Sequence, residues 1–327
     1  FFLKINKDNQ IVGVNEKAIK DFDVSPLTNL NNKKIILSFK LDFKHKNIGV
    51  PLENSEAEGF LINAIELFLK EKNIGNKIEI LVVGNEPMWE TPNGQSKELG
   101  KFTNKLITKV NELKTANHWH YQIFVGALNR VSELTKNEVA QEVIKIAKEN
   151  PLVEGLDLHI HTNDISTANA DPAYIRNKMM VDKKLICTEF SMVRLFEKHI
   201  NDKLGPWGEK NGYDKNMKLY EWINLLKQNA IEGKPISSAK FYDYFESQTW
   251  YPKQWFNQFL ESFKENNVIV ATYGLQSKLT QKQKLLKEKS QLWILNFVFN
   301  ESLFGKSSDG LGNLNPLVYP EFKKSLK

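Results

Sequence analysis

The stretch IEILVVGNEP, residues 78–87, joins an apolar run to an abrupt polar end. Continuous apolar runs of this length are typical of strands that are covered on both faces, as in parallel sheets. A second strand pattern, Lys184–Thr188, also ends in a glutamate, Glu189. The two segments therefore favour an α/β fold in which a polar side chain follows each strand.

Strand and helix patterns alternate along the rest of the chain, as they do in parallel α/β proteins. The segments between strands space their apolar residues as amphipathic helices do, and Ser55 with Glu58 predicts a capping box. Near the end, Val268–Tyr273 is a further strand candidate, and Gln281–Phe304 is expected to contain an outer helix. The main strand candidates are Ile35–Phe43, Ile78–Gly84, Tyr121–Leu128, Gly155–His161, Lys184–Phe190 and Ser238–Phe245.

Composition narrows the class of protein. With 41% hydrophobic and 26% charged residues, the 327-residue chain has the composition of a soluble globular protein. Its formal charge of +6 is spread over lysines interspersed with acids, which indicates a solvated surface and no nucleic-acid partner. The apolar runs are of strand length, so we expect no membrane span. We interpret the start at Phe1 as a processed or trimmed terminus.

The single cysteine, Cys187, excludes an intramolecular disulfide. A reactive thiol is one interpretation of this residue. Its position inside a buried-type strand, two residues before Glu189, favours a small core side chain instead.

Glu86 and Glu189 are the candidate catalytic residues. Each follows a strand, and the chain between them has room for about three βα units. Hydrolysis of a glycosidic bond needs two such carboxyl groups, of which one holds a proton near neutral pH and the other stays ionised. The alternative is that both are ordinary carboxylates at helix N-termini.

At these residues the chain resembles the clan A glycoside hydrolases, which carry Asn-Glu-Pro after the fourth strand and a glutamate at the end of the seventh strand of a (β/α)8 TIM barrel. The matching segments here are Gly84–Trp89 and Ile186–Phe190, and the resemblance covers about residues 35–250. It implies that Glu86 is the general acid/base and Glu189 the nucleophile of a retaining mechanism. It also implies that Asn85 binds the 2-hydroxyl of the sugar.

The resemblance further implies a carbohydrate substrate with β-linked sugars, no cofactor, and a secreted, periplasmic or cell-surface location. We expect residues 1–327 to form a single barrel domain, with 266–327 packed on it as a helix and tail. Only about thirty residues precede Ile35, which is short for two βα units. The first barrel strands are therefore expected to be irregular or incomplete.

Two histidines follow each other in the segment LDLHIH, residues 156–161. Strand alternation puts Asp157, His159 and His161 on one side. Relatives often carry a histidine or tyrosine here that faces the nucleophile and substrate, and His161, nearer the strand end, is the stronger candidate. The alternatives are buried structural histidines or a metal site, for which no third ligand is evident nearby.

Further substrate-binding candidates are aromatic or cationic. In the family a tryptophan ends the eighth strand and forms the floor of the sugar site, and Trp250 is the nearest candidate after Ser238–Phe245. Aromatic rings suit the C–H faces of sugars, so Trp89 and Trp207 are added. Arg130 is a candidate for binding a carboxylate or sulfate, or else a surface ion pair.

Three rival functions remain open at the level of sequence. One is a carbohydrate-binding barrel that has lost activity, another is a metal-dependent hydrolase that uses His159 and His161, and the third is a transglycosylase with the same residues. The sequence does not name the sugar, the linkage, the oligomeric state or whether the enzyme cleaves inside or at the end of a chain.

Overall fold

A computed structural model describes residues 2–25, 34–277, 284–305, 310 and 312–326, in two compact units. The first unit comprises Phe1–His159, Asp171–Thr188 and Asn267–Val270, and the second Ile160–Ala170, Glu189–Asn266 and Ala271–Lys327. A single barrel domain over the whole chain stays a prediction.

A six-stranded parallel sheet organises the first unit. It is preceded by an antiparallel pair, β1 (Leu3–Ile5) and β2 (Ile11–Val14), and by helix α1 (Glu16–Asp21). The six strands lie in chain order from one edge to the other, so that each strand pairs with the next one along the chain. They are β3 (Ile35–Phe39), β4 (Ile78–Val83), β5 (Gln122–Asn129), β6 (Gly155–His161), β7 (Lys184–Ser191) and β8 (Val268–Ala271).

The sheet is curled, and one apolar cluster on its inner face shows why. Ile80 and Val82 alternate along β4 and pack with Phe124 of β5. Ile36 of the first edge strand and Val270 of the last both pack against this same cluster. Side chains of the two edges reach one cluster only if the sheet bends around it. The observed fold is therefore a curled parallel half-barrel flanked by helices.

Amphipathic helices cover the outer face of the first unit. Helix α2 begins at the predicted N-cap, where Ser55 Oγ accepts a hydrogen bond from the Glu58 N–H at 3.2 Å. The Glu58 carboxylate accepts from the N–H of Asn54 at 2.8 Å, one residue before the N-cap that a capping box would use. The helices are α2 (Glu56–Glu71), the short α3 (Pro87–Glu90), α4 (Ser96–Ala116) and α5 (Glu138–Glu149), with a 3₁₀ turn at Gly75–Lys77. Among the described helices none combines the length and the apolar character that crossing a bilayer requires.

The second unit is mainly helical and has an aromatic core. Trp222, Phe241 and Tyr244 are buried there, with ring centroids 5.3–5.5 Å apart about Trp222. The elements after the short α6 (Ala170–Ala173) are α7 (Val193–Lys198), α8 (Gly205–Lys210), α9 (Leu219–Ile231), α10 (Ser238–Ser247), α11 (Trp255–Glu265) and α12 (Tyr319–Ser325). A small sheet has the order β11-β10-β9, formed by β9 (Gln276–Ser277), β10 (Phe299–Asn300) and β11 (Asn313–Leu314). Two 3₁₀ turns of this unit lie at Ile165–Thr167 and Trp293–Asn296. After α6, the chain forms a π-helical turn at Tyr174–Lys178, which belongs to the first unit.

The strand predicted at Ser238–Phe245 is wrong, because these residues form α10. The aromatic residues suggested a strand, but those buried are Phe241, Tyr242, Tyr244 and Phe245, which is the spacing of one helix face. The strand beside β7 is instead β8, which confirms most of the candidate Val268–Tyr273.

The outer helix expected within Gln281–Phe304 is also wrong for its described part. Residues 284–304 contain the 3₁₀ turn Trp293–Asn296 and strand β10, and no α-helix. Residues 281–283 of that prediction lie outside the described residues. The run Leu292–Leu295 is apolar because Leu292, Ile294 and Leu295 are buried around the turn.

Candidate functional site

Glu86 follows β4 on a turn whose backbone is unusual. Gly84 has φ of 106°, and a Cβ at this position would collide with the Gly126 carbonyl oxygen, so the turn requires glycine. Glu86 itself has φ of 44° and ψ of 48°, a left-handed conformation that is uncommon for a residue with a side chain. Pro87 then opens α3 at its first position. This turn fixes the direction in which the Glu86 side chain leaves the strand.

The Glu86 carboxylate meets two polar side chains from neighbouring strands. Its Oε1 lies 3.2 Å from His159 Nδ1 of β6 and accepts a hydrogen bond from Asn129 Nδ2 of β5 at 3.1 Å. The side chain is 27% exposed, whereas that of His159 is 3% exposed. The carboxyl group is thus oriented by buried partners and remains accessible to a substrate.

A chain of hydrogen bonds continues from His159 into the buried layer of the sheet. His159 Nε2 lies 3.1 Å from Thr188 Oγ1, and this hydroxyl donates to Asp157 Oδ2 at 2.6 Å. The Thr188 backbone N–H donates to Asp157 Oδ1 at 3.0 Å. Asp157 is completely buried, and this burial raises the pKa of its carboxyl group to about 6.

The order of these contacts determines where protons lie. Above about pH 6 Asp157 is ionised and only accepts, so the single hydroxyl proton of Thr188 points to it. His159 Nε2 must then carry a proton to bond the Thr188 oxygen. The contact between His159 Nδ1 and Glu86 Oε1 therefore needs one more proton, held by the imidazole or by the carboxyl group.

Burial of Asp157 predicts a pH effect on stability. Its folded-state pKa of about 6 lies above its ordinary value of 3.8, so the folded protein binds more protons between these values. The free energy of unfolding should fall as pH rises from about 4 to 6, by about 3 kcal/mol relative to Asp157→Asn. Urea unfolding of both proteins across this range measures the difference, and parallel pH profiles would contradict it.

Thr188→Val should destabilise the fold, because it leaves Asp157 Oδ2 without its hydroxyl donor in a buried layer. We expect a loss of about 1–3 kcal/mol in the free energy of unfolding at pH 7. Thr188→Ser keeps the hydroxyl and serves as the matched control, so it should lose much less. A loss in Thr188→Ser as large as that in Thr188→Val would contradict the assignment of the effect to the hydroxyl.

Asn85 is held by an ion pair between the buried Glu90 and the exposed Lys40, which the sequence did not predict. Its Nδ2 donates to Glu90 Oε1 at 3.3 Å, and the same oxygen lies 2.8 Å from Lys40 Nζ. Burial raises the pKa of Glu90, and the lysine opposes that effect. The Glu90 contact raises the pKa of Lys40, as does, more weakly, the charge of Glu86. The amide is therefore oriented beside the turn that carries Glu86.

Glu189 belongs to the second unit, and its carboxylate lies near the imidazole of His161. Its side chain is 52% exposed, and its Oε2 lies 3.6 Å from Nε2 of the buried His161. His161 Nδ1 lies 2.8 Å from Ser191 Oγ, which also accepts from the Val193 N–H at 3.3 Å. In the tautomer that carries its proton on Nε2, Nδ1 accepts from the Ser191 hydroxyl and the N–H is directed to the Glu189 carboxylate.

Trp293 is a residue of this region that sequence reasoning missed. Its ring meets the edge of the His161 ring at right angles, with centroids 5.2 Å apart and an interplanar angle of 87°. The indole is 38% exposed, which leaves part of its surface available to a ligand. On the other side of His161, Arg194 donates to its backbone oxygen at 3.3 Å.

The other predicted substrate-binding residues have local partners. Trp89, on α3, is 38% exposed. Arg130 forms an ion pair with Glu133, with Nη2 and Nε at 2.7 and 2.9 Å from one carboxylate oxygen, as in the surface-pair alternative. Trp207 donates to Asp243 Oδ2 at 2.7 Å. Their roles in substrate binding stay predictions.

Trp250 does not follow a strand, since the segment before it is α10. Its ring stacks on His199 with centroids 4.0 Å apart and an interplanar angle of 3°. The prediction that Trp250 follows a barrel strand is therefore wrong.

The histidines bear on the metal alternative. Both ring nitrogens of His159 have protein partners, Glu86 and Thr188, so a metal at this residue would displace one of them. His161 likewise faces Ser191 and Glu189. The expected absence of a metal site therefore stays a prediction.

Comparison with known proteins adds no family. No protein-family model matches the chain, and no curated protein matches it. The resemblance to clan A glycoside hydrolases thus stays a prediction, and a function has to be argued from the residues and their contacts.

Proposed function

We propose that this protein is a retaining glycoside hydrolase that cleaves β-linked oligosaccharides or polysaccharides, on a barrel of the (β/α)8 type. Glu86 is the general acid/base and Glu189 is the nucleophile. Glu86 follows β4 and Glu189 lies near the C-terminal end of β7, two strands of one parallel sheet. Barrel enzymes carry their catalytic residues at this end of the strands.

The observation that supports the acid/base role best is the contact between Glu86 and His159. A general acid must hold a proton near neutral pH and give it to the leaving oxygen. The chain Asp157–Thr188–His159 fixes the orientation of the imidazole and leaves one proton in the pair with Glu86. After departure of the leaving group, the same pair takes a proton from water.

The environment of Glu189 suits a nucleophile. The carboxylate is half exposed and has an N–H of His161 on one side, which favours its ionised form. Attack at the anomeric carbon would form a covalent glycosyl-enzyme with inversion. Water, deprotonated by Glu86, would then displace Glu189 with a second inversion and net retention.

We assign Asn85 a role in binding the substrate. The buried Glu90 accepts a hydrogen bond from the Asn85 Nδ2 group, which orients the Asn85 side chain beside Glu86. This bond does not use the amide oxygen of Asn85. A hydrogen bond from Asn85 to the sugar 2-hydroxyl would strengthen in the transition state.

A screen of aryl β-glycosides tests the proposed function. We expect release of the phenol from at least one sugar by the wild-type protein and none above background by the double variant Glu86→Gln/Glu189→Gln. Turnover that survives in the double variant would contradict the assignment. Sugar binding without turnover in the wild type would support the rival carbohydrate-binding barrel.

A further inference from the structure

The second unit contains a cavity of about 380 Å³ that the proposed catalytic residues do not line. Helix α9 contributes Lys227, strand β9 contributes Ser277, and the turn after residue 290 contributes Trp293. Its volume lies within the range of small-molecule sites, which is about 300–1,000 Å³.

Lys227 is the unusual member of the lining. Its side chain is only 8% exposed, and its ammonium donates to the Lys284 carbonyl oxygen at a long 3.4 Å. Within the described part of the chain no carboxylate lies in ion-pair range of it, and burial lowers its pKa. A buried cation without a counter-ion is costly, because it has lost water and gained one weak partner.

The rest of the lining suits a polyhydroxylated ligand. The hydroxyls of Ser277 and Ser302 lie 2.9 Å apart and both approach Asn300 Oδ1, at 3.0 and 2.8 Å. Gln276 lies on the same strand as Ser277 and also lines the cavity. The indole of Trp293 adds an aromatic surface of the kind that packs on sugar rings.

We propose that this cavity binds the carboxylate of a uronic acid, with Lys227 as its counter-ion and the sugar ring against Trp293. A carboxylate would give the ammonium the charge-assisted hydrogen bonds that the protein does not supply. The hydroxyls of Ser277 and Ser302 would meet those of the sugar.

The cavity adjoins the region of Glu189 through one side chain. Trp293 lines the cavity and also contacts His161, which lies 3.6 Å from Glu189. A uronic acid held there would be part of an acidic glycan substrate. The choice of a sugar as ligand rests on the proposed function, whereas the preference for an anion rests on Lys227 alone.

Binding of glucuronate and galacturonate, compared with glucose and galactose, tests the proposal. By titration with ligand-observed NMR we expect at least one acid to bind about tenfold or more tightly than its neutral parent. Lys227→Met should abolish this preference, and Lys227→Arg should retain it. The exposed Lys234→Met is the matched control and should bind as the wild type does.

Two results would overturn the proposal. One is that neither acid binds better than its neutral parent. The other is that Lys227→Met keeps the preference while its thermal unfolding shows that it is folded. Binding is also measured in Glu189→Gln, which should bind as the wild type does. If the wild-type protein binds the acid with this preference but hydrolyses no β-glycoside, only the proposed function is contradicted. If it hydrolyses β-glycosides but shows no preference for the acid, only this site is contradicted.

Discussion

Glu189→Gln is expected to reduce hydrolysis of β-glycosides by roughly 10⁴–10⁶-fold, the range seen when a nucleophile or a group that acts with it is removed. The amide has the shape of the carboxylate and cannot form the glycosyl-enzyme. The loss should be as large with a dinitrophenyl leaving group as with a sugar, because bond formation itself is prevented. Initial rates with both kinds of substrate measure it.

The control for this variant is Glu261→Gln, which changes an exposed glutamate of the same unit on α11. It should keep wild-type rates. The smaller Glu189→Ala should recover activity with added azide, which enters the vacated space and gives a glycosyl azide of inverted configuration. A Glu189→Gln protein with more than about a hundredth of wild-type activity would contradict the nucleophile assignment.

Glu86→Ala is expected to show a loss that depends on the leaving group. For a sugar leaving group, which needs a proton, kcat/KM should fall by about 10²–10⁴-fold. For dinitrophenolate, which leaves without a proton, kcat/KM should stay within about tenfold of wild type. Its kcat should still fall, because Glu86 also deprotonates the water of the second step.

Glu79→Gln is the matched control for this prediction, since Glu79 lies on the same strand and pairs with Lys34 at the surface. It should behave as the wild type with both substrates. Azide should restore kcat of Glu86→Ala on the aryl glycoside, with retained configuration. Equal losses on both substrates would assign Glu86 to binding or folding and not to proton transfer.

The sequence predicts the sheet well where strands are continuous apolar runs. Residues 78–83 and 155–161 are strands that are covered on both faces, and such coverage favours an apolar residue at nearly every position. Helix α2 follows in the same way from its N-cap and its buried stripe. The segment 238–245 misled because four aromatic residues suit a strand by type, while their spacing is that of a helix face.

The two glutamates could be found from sequence because each lies at or just beyond the C-terminal end of an apolar strand pattern. The contacts of Asn129, Thr188 and Asp157 could not be found in this way. They join different strands, and the sequence alone does not say which strands are neighbours. The hydrogen bonds that link Glu86, His159, Thr188 and Asp157 can therefore be recognised only once the pairing of the strands is known. A local signal did exist for Asp157, which shares the alternation of the two histidines.

Trp293 and Lys227 could not be recognised from the sequence as residues that line a cavity. Lys227 lies far along the chain from the other residues that line the cavity, and neither Lys227 nor Trp293 belongs to a motif. Trp293 sits in an apolar run that is typical of a helix, yet the run is a 3₁₀ turn that leaves the indole 38% exposed. Only packing distinguishes such a ring from a core tryptophan.

The anomeric configuration of the first product tests the central claim most directly. Proton NMR during hydrolysis of an aryl β-glycoside resolves the anomers before mutarotation mixes them. A double displacement through Glu189 predicts that the β-anomer forms first. Initial formation of the α-anomer would mean a single displacement by water and would contradict the assignment of Glu189 as the nucleophile.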